Sequence, residues 1–384
     1  MNARLFFGKA LFVLCVCCLL FSCKDDDNKV TDNGRKTTEE QYYANVFASD
    51  ALSLYYYWNE EITADLEKLD PETNTDPIST VDEIRYHQGE TYIDKWTMLT
   101  DDMSSFENSV QGVATSYGYE LMFYYADESY TNIYGVVAFV YADSPAEKAG
   151  MKRGDVIYAL NGVGITESNY MDLYYSSQAK LSVAGLVQEA GEAVLKPVTE
   201  ISLQAVEMYE NPVLCHKILD VNGKKVAYLA YSSFDLKSIE PLIEICKEFK
   251  AEGVKDLILD LRYNGGGYVI TESVLASMFA PQDVVSAGKV LETEDYNKIL
   301  TEEYRKQGYT DFATYFETEF NYPNVSLNVS TKDANIGLEH IYALIGPNSA
   351  SASEALLGGL MPYMPVTLIG EQSHGKYCTG VILR

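Results

Sequence analysis

The stretch "KDLILDLRYNGGGYVITESVLASMFAP", residues 255–281, decides the architecture of the C-terminal half. KDLILDLR reads as an apolar strand. YNGGGY is a loop, because three consecutive glycines leave the backbone free of side-chain constraint. VITESVLASMFAP reads as a helix that stops at a proline. Working outward, KKVAYLAYSSF (224–234) is a further strand, and SIEPLIEICKEFKAEG (238–253) is an amphipathic helix closed by Gly253. Downstream, EHIYALIG (339–346) and VTLIG (366–370) are strands on either side of the helix SASEALLGGLM (351–361). Strands alternating with helices imply a largely parallel sheet covered by helices, an α/β core from about 212 to 384. Between about 281 and 339 the chain is polar and tyrosine-rich, and reads as an insertion or a lid over a site.

A second stretch raises a chemical question. In "GPNSASASEALLGGL", residues 346–360, three serines alternate with alanines between a strand and a helix. Ser351 and Glu354 fit the capping box, in which a serine and a glutamate three places on satisfy each other's backbone N–H groups. The alternative is that one serine is a nucleophile. Lys376 lies 25 residues on (376 − 351), in the loop "GEQSHGKYCTG" after the last strand. Loops at the carboxyl ends of strands in an α/β sheet meet at one crevice. The serine corner, the lysine loop and the glycine loop each follow a strand, so the pattern predicts that they converge. His374, two residues before the lysine, is a rival base. Asp260 and Arg262 read as braces for the glycine loop, and Asn264 as a turn former.

Residues 112–206 differ in character. "GYELMFYY" and "YGVVAFVYA" are strand-like. In "DSPAEKAGMKRGDVIYALNGVGI" a short helix from Pro145 to Ala149 ends at Gly150, Gly154-Asp155 turns into the strand VIYAL, and Asn161-Gly162 signals a hairpin. This pattern resembles a PDZ domain of the bacterial, protease-associated kind. The resemblance implies a groove that takes a peptide as an added strand and holds its terminal carboxylate, with Gly118, Tyr119 and Leu121 in the binding loop. The module could instead only brace its neighbours. Residues 38–110 read as a small helical domain, and its Trp58 and Trp96 as core.

The first 37 residues are of another kind. Residues 1–22 read as a signal peptide, with Arg4 and Lys9 ahead of the apolar LFVLCVCCLLF. LLFSC resembles a bacterial lipobox, which implies lipid on Cys23; an ordinary anchor helix is the alternative. Residues 23–37 form a polar tether. The acidic run after Cys23 resembles the export signal of Bacteroidetes-type surface lipoproteins, implying an outer-membrane protein held by its lipid, with the surface as one of its two faces. Seven cysteines are present; those beyond Cys23 are Cys215, Cys246 and Cys378, without metal-ligand spacing, so no metal is expected. The chain has 384 residues, 47% of them hydrophobic, 22% charged and 31 of them tyrosines. That is the composition of a globular protein. The net charge of −27 repels phosphate backbones, and nucleic acid is not an expected partner.

Taken in order, "LDLRYNGGG", "SASASEALLGG" and "IGEQSHGK" behind a PDZ-like module resemble the C-terminal processing (tail-specific) serine peptidase family, over about residue 38 to the end. The resemblance implies that Ser351 is the nucleophile and Lys376 the general base. It implies that the N–H of Ala352, with that of Gly265 or Gly266, forms the oxyanion hole. It implies no cofactor, and protein or peptide C-terminal tails as substrates. Serine is a poor nucleophile until a base takes its proton, and a lysine can do so only when neutral. Members of the family often carry glutamine four residues past the lysine, where this chain has Gly380. The family also continues with further strands, whereas this chain stops eight residues past Lys376, so a core shortened at its C-terminus is expected. The rival reading is a PDZ-containing lipoprotein that captures tails without cutting them.

Overall fold

A computed structural model describes residues 35–189 and 192–384. The signal segment and Cys23 lie outside the described residues. The fold is multidomain α/β, with three separate apolar clusters.

The first cluster gathers Leu52, Tyr56, Trp58, Ile62, Val81 and Ile84 between α1 (Glu39–Tyr55) and α2 (Pro77–Ile84). Thr38 starts α1 with a full capping box: Gln41 N–H donates to Thr38 Oγ1 at 3.2 Å, and Thr38 N–H donates to Gln41 Oε1 at 2.9 Å. A third helix, α3 (Met103–Val110), leads out of this unit.

The second cluster fills an antiparallel sheet with strand order β1-β2-β3-β5-β6. The strands are β1 (Tyr119–Tyr125), β2 (Ile133–Val140), β3 (Val156–Leu160), β5 (Gln178–Glu189) and β6 (Glu192–Gln204). The two-residue β4 (Val163–Gly164) pairs with β3 across Asn161-Gly162, both at positive φ as a two-residue hairpin turn requires. The short helix α4 (Pro145–Lys148) is capped by Ser144, and α5 (Asp172–Tyr175) lies beside β1.

The third cluster is the largest. Its sheet has the order β7-β8-β9-β10-β11, formed by Val213–Val221, Lys224–Tyr231, Asp256–Asp260, His340–Ile345 and Val366–Gly370. β7 and β8 are antiparallel; every later pair is parallel. The parallel register is set by apolar pairs such as Leu257 with Ile341 and Leu259 with Ala343, all buried. Each large aliphatic side chain so buried contributes about 1.5–3 kcal/mol. Helices α6 (Ile239–Ala251), α7 (Val269–Phe279) and α8 (Ala352–Leu360) supply much of the rest of the core, and Leu291, Phe316, Phe320 and Leu327 from the 281–339 segment join it. The polar segment 281–339 holds two small antiparallel strand pairs with helices Gln282–Ser286 and Lys298–Lys306, the second helix lying between the strands of the first pair. The strand β7 has no counterpart in the sequence reading, because Lys217 stands in line with Cys215 and Leu219 while Leu214 and Ile218 fall on the other face, so apolar and polar residues do not alternate cleanly. The sheet order ends at β11, where Leu368 and Ile369 are exposed.

Because β9, β10 and β11 are parallel neighbours, the loops leaving their carboxyl ends at Asp260, Ile345 and Gly370 emerge side by side.

One buried group is out of keeping with its surroundings. Glu272 on α7 is 1% exposed, and its Oε1 has no hydrogen-bond partner among the described residues. Burial, with Glu292 nearby, holds its carboxyl well above the ordinary value. A raised folded pKa gives stability that is complete below the unfolded carboxyl value of about 4.3 and is lost as pH rises through the folded one. Glu272→Gln should therefore melt with the wild type at pH 4 and a few degrees above it at pH 8. Parallel melting curves for the two proteins across that range would show that the group carries no such penalty.

Candidate active site

The serine corner joins β10 to α8, and its three serines differ. Ser349 Oγ donates to the Leu261 carbonyl at 2.7 Å and accepts the Gly346 N–H at 3.0 Å. Ser353 Oγ donates to the Asn264 carbonyl at 2.9 Å. Both are fully buried, and both tie the corner to the glycine loop. Ser351 is half-buried and sits at the N-cap of α8 with φ 57° and ψ −119°. A side-chain-bearing residue in that region costs about 1–3 kcal/mol and is kept where the surroundings fix it. A strained strand-to-helix turn of this kind presents a nucleophile at a helix N-terminus, where the dipole favours developing negative charge.

The glycine loop approaches as closely as backbone allows. A Cβ on Gly266, whose φ is +106°, would stand 2.7 Å from Ser351 Cβ and 3.1 Å from Ala352 N. A Cβ on Gly267 would stand 2.4 Å from the Phe234 carbonyl oxygen. Asn264 is buried and shapes the turn: its Nδ2 donates to the Tyr231 carbonyl at 3.0 Å, and its Oδ1 accepts the Gly266 N–H at 2.9 Å. Of the two loop N–H groups singled out for an oxyanion, that of Gly266 is thus already engaged, and Gly265 lies exposed beside it. Asp260 and Arg262 pair at the strand end through two bonds, Nε to Oδ1 at 2.9 Å and Nη2 to Oδ2 at 2.6 Å. Burial would raise the Asp260 carboxyl, but the bonds from Arg262 and Tyr228 hold it below the usual range.

The lysine loop is stitched to the serine corner by its backbone. His374 N–H donates to the Ser349 carbonyl at 2.9 Å. Gly375 N–H donates to Glu354 Oε1 at 2.7 Å, and Lys376 N–H to Glu354 Oε2 at 2.9 Å. The half-buried Lys376 places its Nζ 5.2 Å from the centre of the Trp96 ring, which also lies 6.0 Å from the exposed His374 ring. Trp96 comes from the N-terminal unit and is only half-buried, so the reading of it as core gives way to a place beside the lysine; Trp58 is core. Burial raises the Cys378 thiol, with Asp94 adding to the rise and Lys376 opposing it.

The β1 edge of the PDZ-like sheet is crossed by two tyrosines. Tyr119 OH donates to the Leu173 carbonyl at 2.6 Å. Leu121 N–H donates to Tyr174 OH at 2.9 Å, and that hydroxyl lies 3.4 Å from the Leu121 carbonyl and 3.3 Å from Glu120. Burial, with Glu210 nearby, pushes the Glu120 carboxyl up to about 7. Gly118 N–H donates to Ser116 Oγ at 3.1 Å. The sheet meets the glycine loop through Arg153, whose Nη1 donates to Tyr263 OH at 2.9 Å. Sequence reasoning found Glu354 only as a helix cap and Trp96 only as core, and missed their places beside the lysine loop; it did not single out Tyr174 at all.

Residues 225–381 match peptidase family S41, and residues 136–174 match the PDZ domain. The carboxy-terminal processing protease CtpB of Bacillus subtilis is 25% identical over 287 residues, which is 74% of this chain and 50% of that protein. The carboxyl-terminal-processing protease of Synechocystis is 25% identical over 240 residues, 61% of this chain and 48% of that protein. The chain spans about half the length of the curated relatives it matches. A solved structure from Bacteroides fragilis, assigned to the S41 proteases, shares the fold with a TM-score of 0.61 at 23% identity, over 86% of this chain and 79% of that one. The serine corner, glycine loop and lysine loop all lie inside the segment that matches peptidase family S41, and the segment that matches the PDZ domain lies ahead of it.

Proposed function

We propose that this chain is a serine endopeptidase that cleaves proteins or peptides near their C-termini. The observation that carries the reading is the division of labour at the corner: Ser349 and Ser353 are engaged with backbone carbonyls, while Ser351 is set at a strained turn beside the lysine loop. Ser351 Oγ attacks the scissile carbonyl as its proton passes to Lys376 Nζ. The oxyanion is held by the Ala352 N–H and, since Asn264 engages Gly266, by the Gly265 N–H. The lysine then gives its proton to the departing amine, and an acyl-serine remains. It next takes a proton from water, whose oxygen attacks the ester, and returns that proton to Ser351 Oγ as the ester C–O bond breaks and the acid product leaves. Residues 24–384 should hydrolyse an unstructured protein, and Ser351→Ala and Lys376→Met should each lower kcat by about 10³-fold or more. Tail binding by folded protein with no turnover would overturn the reading in favour of a capture protein.

Tails would reach the site through the PDZ domain, pairing along the β1 edge. There the Tyr174 hydroxyl accepts from Leu121 N–H as a peptide carbonyl would, so an incoming strand must displace it. In a Ser351→Ala background, Tyr174→Phe should bind a peptide with an apolar C-terminus several-fold more tightly, as expected for one competing hydrogen bond removed. Equal affinity in both proteins would discard this route.

The lipid anchor and the outer-membrane site follow from Cys23. Full-length protein should carry lipid on its N-terminal peptide by mass spectrometry, and Cys23→Ala should leave the membrane fraction; an unmodified peptide would exclude the anchor.

A further inference from the structure

Glu354 occupies the third position of α8, where a glutamate reaches back to the N-cap backbone, and it does so: Ser351 N–H donates to its Oε2 at 3.0 Å. That bond completes a helix start and by itself says nothing about catalysis. The same carboxylate, however, accepts two more N–H groups from a segment 21 and 22 residues further on, Gly375 at Oε1 and Lys376 at Oε2. Oε2 is therefore shared by the backbones of Ser351 and Lys376. Gly375 has φ +83°, and successive N–H groups around a left-handed residue form a concavity that suits an anion. Three N–H donors on one ionised carboxylate are charge-assisted bonds, the short and directional kind.

We infer that Glu354 is the positioning residue of this site, the link that sets the Lys376 loop against the Ser351 turn. The inference rests on the reading of Ser351 and Lys376 as nucleophile and base. A glutamine at 354 would put its NH2 against N–H donors on one side of the clamp. An aspartate would be one methylene short of the loop. Gly375→Ala offers a second route to the same fault, since a Cβ there meets nothing within 4 Å and acts only through the backbone angle.

The test compares wild type, Glu354→Gln and Gly375→Ala by steady-state kinetics on a tail peptide and by amide hydrogen exchange. Displacing a reacting group by about 1 Å can cost roughly 10²-fold. The expected result is a fall in kcat of roughly 10- to 100-fold in both variants with KM unchanged. The Gly375 and Lys376 amides should exchange at least about tenfold faster in Glu354→Gln, following the loss of a charge-assisted bond at each. A Glu354→Gln protein that melts lower and frays at the start of α8, with kcat and the 375–376 amides unchanged, would reduce Glu354 to a helix cap and overturn the inference. If the wild type cleaves nothing, the nucleophile and base assignment fails on its own. The exchange rates then still decide whether the carboxylate holds the lysine loop.

Discussion

The close approach of Gly266 to Ser351 is the constraint on which the rest of this site depends. Any side chain at 266 would overlap Ser351 Cβ and crowd the Ala352 nitrogen. The approach is possible only because β9 and β10 are adjacent and parallel, with Leu259 opposite Ala343 and Asp260 opposite Leu344. Their loops therefore leave the sheet at the same level. Ser349 and Ser353 then lock the two loops together through Leu261 and Asn264, and Asn264 in turn fixes the Gly266 peptide. Three polar side chains, those of Ser349, Ser353 and Asn264, are buried for this purpose, and each has its partners, as buried polar groups must.

The strands and helices of the α/β core were legible because their apolar runs are long and bounded by glycine or proline. The same holds for the α4 helix and the Asn161-Gly162 hairpin, where local turn chemistry is decisive. The serine corner was legible as a corner. Which serine is left over was not, since the difference lies in contacts with Leu261 and Asn264, almost ninety residues away. Glu354 was read through its local helix-capping pattern, and that reading holds while missing the partners at 375 and 376. Of the glycine loop, the sequence announced flexibility and close approach, but not that one N–H is consumed by Asn264.

Both of the other units reach this corner. The PDZ domain touches the glycine loop through Arg153 and Tyr263, whose guanidinium and ring lie 5.6 Å apart and share a hydrogen bond. The N-terminal unit is fastened to the 281–339 segment by Asn297, whose Nδ2 donates to the carbonyls of Leu54 and Tyr56 at 2.9 and 2.8 Å. These bonds bridge more than 240 residues of chain and tie the end of α1 to a buried asparagine. A segment that the sequence offers as an insertion or a lid thus serves as the seat for another unit.

That seating explains how a residue from the N-terminal unit can stand beside the lysine. Trp96 is carried on a turn built around the buried Asp94, whose Oδ1 accepts the N–H groups of Trp96 and Thr97 and whose Oδ2 accepts Tyr56 OH at 2.7 Å. Tyr56 closes the circuit by accepting the Tyr86 N–H at 2.9 Å. Burial works against the Asp94 carboxylate, but these donors more than offset it and keep its carboxyl below the ordinary range. A buried ion so satisfied has one arrangement, because moving any donor would strand charge in a dry site. The backbone that carries Trp96 to the side of Lys376 is therefore set by the core of the N-terminal unit, and its ring meets Lys376 and His374 from there.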